Sequence, residues 1–319
     1  MFLILSLLLG CVNGDAPIDP NDTTAFTFEV PKGAVASNLG DELMEADLIG
    51  SELEWKFFLR TRDASCLKAG LFELNRGMSL NVVVDTLCGT PMANDVEFTV
   101  LEGWRIRDID AALAGKGLLT AGAYTAVAEG RTADAPFEVP GTTYEGYLYP
   151  ETYRVPAAGV DPKILVERQL STFKDRFLDK HPNGTGGRSL QDIVIMASML
   201  EREEPKPKNR NLVAGILWKR IDSNNALGVD ATSRYTLDKW NDRSAFLKKL
   251  RDPEDPYNSR LRKGLPPTPI GNPTIESLEA ALAPTESEFW YYLHDAEQNL
   301  HPARNGNEHE ANRAKYNVY

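Results

Sequence analysis

The pattern aromatic–x–aliphatic–x–x–glycine recurs along the first third of this chain and restricts its fold more than any other feature. The copies are Phe28–Gly33, Phe72–Gly77 and Phe98–Gly103. Alternation with a period of two gives a strand with one buried face. The glycine supplies the turn that follows. An amphipathic run succeeds each copy. After Gly77, Ser79 is placed to cap a helix carrying Val82, Val83 and Leu87. After Gly103, Ile106, Ile109 and Leu113 form a helical stripe that stops near Gly117. Strand, turn and helix in repeated order predict a small α+β module over residues 25–130.

Such a module is similar to LysM-like glycan-binding units, in which a short sheet and a helix frame a shallow sugar groove. A spacer that binds nothing fits the same pattern. Residues 12–24 are polar and turn-rich and read as a flexible tether. Residues 131–143, with Pro136, Pro140 and Gly141, read as a domain junction. Residues 144–319 then form a mostly helical domain with short strands. Asp161–Pro162 is an N-cap followed by proline at the first helical position, and that helix runs to about Lys180. Leu212, Val213, Ile216, Leu217 and Ile221 share the face of another helix. Thr274 is placed to cap a helix with Leu278, Ala281 and Leu282, and Phe289–Leu293 reads as a buried strand.

The formal net charge is −11, and no basic run stands out. Nucleic acid and anionic headgroups are therefore poor partners, and any polyanionic ligand must be held by local contacts. The 4 histidines are scattered and no CxxC or HExxH occurs, so neither a metal nor a cofactor is expected. Phe2–Gly10 is apolar but shorter than the ~20 residues that span a bilayer. It suits the h-region of a secretory signal. Leu8-Leu9-Gly10-Cys11 resembles a bacterial lipobox, with Leu9 where a small residue is usual and no basic n-region before it. Residues 1–11 are read as a lipoprotein signal with lipidation at Cys11, an ordinary cleaved signal, or a truncated membrane anchor. Export favours oxidation, which makes Cys66 and Cys88 a candidate disulfide; two free buried thiols are the alternative.

The segment Ser189–Glu201 reads as a helix with Ser189 as N-cap and Asp192 in the first turn. Leu190, Ile193, Val194, Ala197 and Leu200 mark its apolar face, and Glu201 continues that face. Desolvation disfavours a charged carboxylate, the condition under which one side chain can give and retake a proton near neutral pH. Glu201 is therefore the candidate acid, set against a helix-end glutamate curling into water. Glu203 and Glu204 leave that face and read as solvated.

Several motifs together resemble the YceG-like endolytic murein transglycosylases, from about Phe26 to Tyr316. Glu145–Tyr153 is similar to the family's EGYLFPDTY block, and Ala197–Glu203 to its ASIIEKE block. Tyr257-Asn258 with Gly264–Pro273 is similar to YNTY…GLPPGPIANP, and Glu308-His309 to the terminal EHN. Among the departures, the family's usual transmembrane anchor is replaced by the lipobox-like segment, and three motif changes stand out. The family's D-P-T is here Asp230-Ala231-Thr232, YNTY continues as Ser259-Arg260, and Glu310 stands in the last motif.

The resemblance implies an endolytic lytic transglycosylase that cleaves the MurNAc–GlcNAc bond within peptidoglycan strands and leaves 1,6-anhydro ends, terminating nascent strands. It places the catalytic acid on Glu201. Glu201 protonates the oxygen leaving C1 of N-acetylmuramic acid, then takes the proton of the C6 hydroxyl as that oxygen closes the ring. Glu145 reads as an active-site carboxylate or as a group that holds a neighbouring turn. Asp230 reads as a second one or as a loop cap, with Thr232 its polar companion. Tyr149, Tyr257 and Asn258 are candidate sugar contacts. Implied partners are peptidoglycan strands, peptidoglycan synthases and a membrane through the N-terminal anchor, in the cell envelope on the periplasmic side. Two other readings stand beside this one: a non-catalytic peptidoglycan-binding lipoprotein, and a muramidase that hydrolyses.

Overall fold

The computed structural model describes residues 14–92, 95–182 and 184–318. The expected signal and the Cys11 lipidation site lie outside the described residues. The chain divides into two compact units, one up to Val96 with Pro156–Ala158, the other Glu97–Val155 with Gly159 onward. The expected junction at 131–143 is therefore not where the units part. Phe98, Val100, Ile106, Ile109 and Leu113 of the third repeat share one core with Val139, Leu165 and Val194. That shared burial draws the third copy into the second unit.

In the first unit, β1 (Phe26–Val30) leads through α1 (Gly40–Glu45) and α2 (Glu52–Thr61) to β2 (Gly70–Leu74), then α3 (Leu80–Cys88). The two strands pair antiparallel with Phe28 opposite Phe72, so the aromatic positions of two repeat copies meet across the sheet. Phe28, Val30, Phe72 and Leu74 face the core, as the period-two pattern requires. The second copy is thus the return strand of the first rather than an independent unit. Ser79 caps α3 by accepting from Val82 N at 3.4 Å. A disulfide joins Cys66, between α2 and β2, to Cys88 at the end of α3, with Cα atoms 5.1 Å apart.

The second unit repeats the outline: β3 (Asp95–Thr99), α4 (Ile106–Gly115), α5 (Ala123–Gly130) and β4 (Thr152–Pro156), with β3 beside β4. Asp110 of α4 caps α5 by accepting from Gly122 N, Tyr124 N and Thr125 N. The helical part follows: α6 (Pro162–Arg176), α7 (Leu190–Glu203), α8 (Pro207–Asp222), α9 (Asp230–Arg234), α10 (Arg243–Lys249) and α11 (Ile275–Leu282). A hairpin of β5 (Tyr291–His294) and β6 (Leu300–Ala303) precedes α12 (Gly306–Tyr316). No helix among the described residues is long and apolar enough to cross a membrane.

The central element is α7. Ser189 accepts from Asp192 N at 3.1 Å and starts it. Every residue from Ile193 to Leu200 is buried. A helix enclosed on all sides has no single inner face, so the one-stripe reading of this segment is too simple. The proline-rich strap 264–274 crosses α7, and Ile270 N donates to Ser198 Oγ at 3.0 Å. Gly271 has φ +153°, and a Cβ there would lie 2.3 Å from the Gly103 carbonyl oxygen. Only glycine lets the strap approach that turn so closely.

Candidate active site

Glu201 projects from the end of α7 into a closed ionic network. Its Oε1 accepts from Arg210 Nη2 at 2.9 Å, and its Oε2 from Arg210 Nη1 at 3.3 Å. Thr274 N and Thr274 Oγ1 donate to Oε2 at 2.8 and 2.7 Å. The Glu201 side chain is 2% exposed and that of Arg210 5%, so what Glu201 exposes is main chain. The carboxylate thus sits at the N-terminus of α11, where a negative charge is favourable, and ties α7 to α8 and α11. Thr274 occupies the N-cap position as expected, but its hydroxyl serves Glu201 rather than its own helix. Glu201 is not among the residues lining the largest of the described clefts.

That cleft, about 630 Å³, opens two residues further on. Glu203 lines it together with Asp230, Arg220, Arg260 and residues of β5 and α12. Positions two apart on a helix differ by about 200°, so Glu201 and Glu203 look in nearly opposite directions. Burial pushes the Glu203 carboxyl up to about 7. The Asp230 carboxylate adds to the rise, while His294, Arg260 and a hydrogen bond with Tyr292 work against it. Burial and the neighbouring Glu203 also hold the Tyr292 phenol protonated, well above its ordinary range. A carboxyl poised near neutrality beside a phenol and a second carboxylate has what acid–base work requires.

Asp230 opens α9 and is pinned by Arg260, with Nη2 at 2.6 Å and Nε at 2.8 Å. The opposite wall comes from Tyr291, Tyr292 and His294 on β5 and from His309 and Arg313 on α12. Glu204, read as solvated, is buried instead and bonds His294 Nε2 at 2.9 Å. Burial alone would raise its carboxyl. The His294 bond and the Lys206 N–H outweigh that and hold it below the ordinary value.

The remaining candidates do not line this cleft. Glu145 is buried at the start of α4, accepting from Ile106 N at 3.2 Å, Tyr235 OH at 3.1 Å and Asn272 Nδ2 at 3.3 Å. Burial, opposed by the Ile106 and Tyr235 bonds, pushes it up to about 8. It does not line the cleft, so its perturbation reflects interior packing. Thr232 is buried, with its hydroxyl on Val229 O and Ser259 Oγ. Asn258 is buried and ties a turn through Lys249 O and Asp252 O. Tyr149 is buried, its phenol raised by that burial. Tyr257 bonds Thr268 Oγ1 at 2.8 Å and lines a separate pocket of about 240 Å³ under the strap. Of the candidate catalytic and substrate-binding residues read from sequence, Asp230 reaches the cleft with Glu203, and Arg260 and His309 of the motif segments join them there.

In the first unit, a shallow groove of about 410 Å³ lies between the β1–α1 and α2–β2 connections. Ala34–Ser37 form one side, and Leu59, Arg62–Ser65 and Leu67 the other.

A family model described as the YceG-like family matches residues 28–315. The chain belongs to the YceG-like family. Its relatives include a Bacillus subtilis protein named endolytic murein transglycosylase, 25% identical over 317 residues, covering 94% of this chain and 87% of that protein. A Streptococcus pneumoniae protein of the same name is 24% identical over 329 residues; the match covers 94% of this chain but 60% of that longer protein. Among solved structures, a yceG-like protein of Listeria monocytogenes superposes with a TM-score of 0.58 at 23% identity, covering 90% of this chain and 98% of that one. The likeness establishes the shared YceG-like fold. The segment Ala197–Glu203, similar to the family's ASIIEKE block, holds two glutamates, Glu201 and Glu203. Helical periodicity and the motif resemblance both selected the first of them, and the fold turns the second toward the cleft.

Proposed function

We propose that this chain is an endolytic murein transglycosylase of the cell envelope, and that Glu203, in place of Glu201, is its acid and base. The observation that carries this is a carboxyl raised to about 7 on the wall of the largest described cleft, with Asp230 and Tyr292 beside it. Protonated Glu203 donates to the glycosidic oxygen leaving C1 of N-acetylmuramic acid. The resulting carboxylate takes the proton of the C6 hydroxyl while O6 bonds to C1. The nucleophile is part of the substrate, so proximity supplies much of the rate. No water enters, and the acid is regenerated at the end of each turnover. Asp230 steadies the positive charge developing at C1, held in place by Arg260. Membership of the YceG-like family and the names of its relatives support the substrate class.

The first unit is proposed to hold glycan in the LysM-like manner. Its strand–helix–helix–strand outline and the groove between the two connections support that role. Attachment through Cys11 and proximity to peptidoglycan synthases complete the proposal.

Mass analysis of products from purified glycan strands tests it. A transglycosylase gives muramyl ends one water lighter than reducing ends. Reducing ends would identify a hydrolysing muramidase, and no cleavage would leave a binding protein.

A further inference from the structure

The cleft holds three guanidinium groups, and they are not equivalent. Arg260 is doubly bonded to Asp230, and Arg313 pairs with Glu310 at 3.1 Å. Arg220 has no acidic partner among the described residues. Its Nε donates to Trp290 O at 2.8 Å and its Nη1 to Leu227 O at 2.6 Å. These carbonyls fix the plane of the group without neutralising it. The Tyr291 ring lies 5.0 Å from its central carbon, and Tyr291 in turn stacks on His309 at 5.3 Å. Arg220 is half-buried on the cleft wall, and burial holds its proton affinity below the ordinary value, as for a cation lacking a counter-ion.

We propose that Arg220, backed by Tyr291 and His309, is a carboxylate-recognition subsite that takes an anionic group carried on the muramyl residue being cleaved. This rests on reading the cleft as the glycan site. An oriented guanidinium with free donors is matched to a carboxylate. The protein's charge of −11 repels an acidic polymer, so capture must come from a local cation. The muramyl ring carries its lactyl ether at C3, on the same ring whose C1 is attacked. Where the peptide is absent, the lactyl group ends in a free carboxylate. Where it is present, the carboxylates belong to the peptide. Either source offers the same chemistry to Arg220.

The test uses the full chain and four strand preparations: peptide-bearing and amidase-stripped, each with carboxylates free or converted to amides. Formation of anhydro ends gives kcat/KM, and calorimetry gives binding. Amidation is expected to lower wild-type kcat/KM by about 10- to 100-fold in at least one preparation, mainly through KM, as loss of a charged hydrogen bond does. An effect confined to stripped strands assigns the lactyl carboxylate; one confined to peptide-bearing strands assigns the peptide. Arg220→Gln is expected to erase the difference between free and amidated strands, and Arg220→Lys to retain part of it. Equal kcat/KM and equal binding of free and amidated strands by the wild type would overturn the proposal, even if both variants failed to fold. So would an Arg220→Gln loss of the same size on all four preparations. Carboxylate-dependent binding without anhydro ends would support the subsite while refuting the transglycosylase reading.

Discussion

Glu201→Gln separates structure from chemistry at this site. The substitution keeps the side chain's shape but removes the charge that faces Arg210. Both side chains are nearly sealed from solvent, at 2% and 5% exposure, and the Glu201 oxygens accept from two guanidinium nitrogens and from both donors of Thr274. Breaking a buried pair by neutralising one partner costs about 3–5 kcal/mol, because the other charge stays buried alone. For a folding unit of this size each kcal/mol moves Tm by about 2–4 °C, so the expected drop is about 6–20 °C. Circular dichroism melts at neutral pH measure it, and anhydro-end formation by the folded fraction well below Tm measures the chemistry. The reasoning expects a lower Tm with cleavage retained. Replacing both partners, as in Glu201→Gln/Arg210→Met, is expected to recover much of the loss. A variant that melts like the wild type yet forms no anhydro ends would refute the structural role and return the acid to Glu201.

Other consequences follow from the same geometry. Glu203 must be protonated to start the reaction, so kcat/KM is expected to fall as pH rises through about 7; a flat profile across that range would count against it. Asp230→Asn removes a charge that raises Glu203, and its basic limb is expected at lower pH than the wild type's. Folded Glu203 and Glu145 both keep protons that the unfolded chain releases near 4.5. Their contribution to stability is therefore full below about 4.5 and lost as pH rises through 7 and then 8; urea titrations across that window check it. Glu145→Ala strands the Ile106 N–H and removes an acceptor from the Tyr235 hydroxyl, and is expected to cost about 1–3 kcal/mol in the same titrations without changing the identity of the products.

Much of the fold was legible because its signals are local. Ser189 caps α7, and Asp161 accepts from Lys163 N ahead of Pro162, as the cap rules require. The repeat gave strands whose buried residues are those of the pattern. It did not give the pairing of the first copy with the second, which depends on contacts far apart in sequence. The choice between Glu201 and Glu203 was hidden for a related reason. Periodicity reports which side of a helix is apolar, and α7 is enclosed from Ile193 to Leu200. What distinguishes the two glutamates is Arg210 and Thr274 on one side, and Asp230, Tyr292 and His294 on the other. Those neighbours come from α8, α9, β5 and the residue that precedes α11, and one helix's pattern carries no trace of them.

Glu203→Gln addresses the chemistry itself. The amide nearly preserves size, removes the proton that the leaving oxygen needs, and relieves the burial of a titrating group, so the variant should fold at least as well as the wild type. Anhydro ends released from purified strands by equal amounts of folded protein are expected to fall by about 10²- to 10⁴-fold. Release at the wild-type rate would mean that the proton comes from another group.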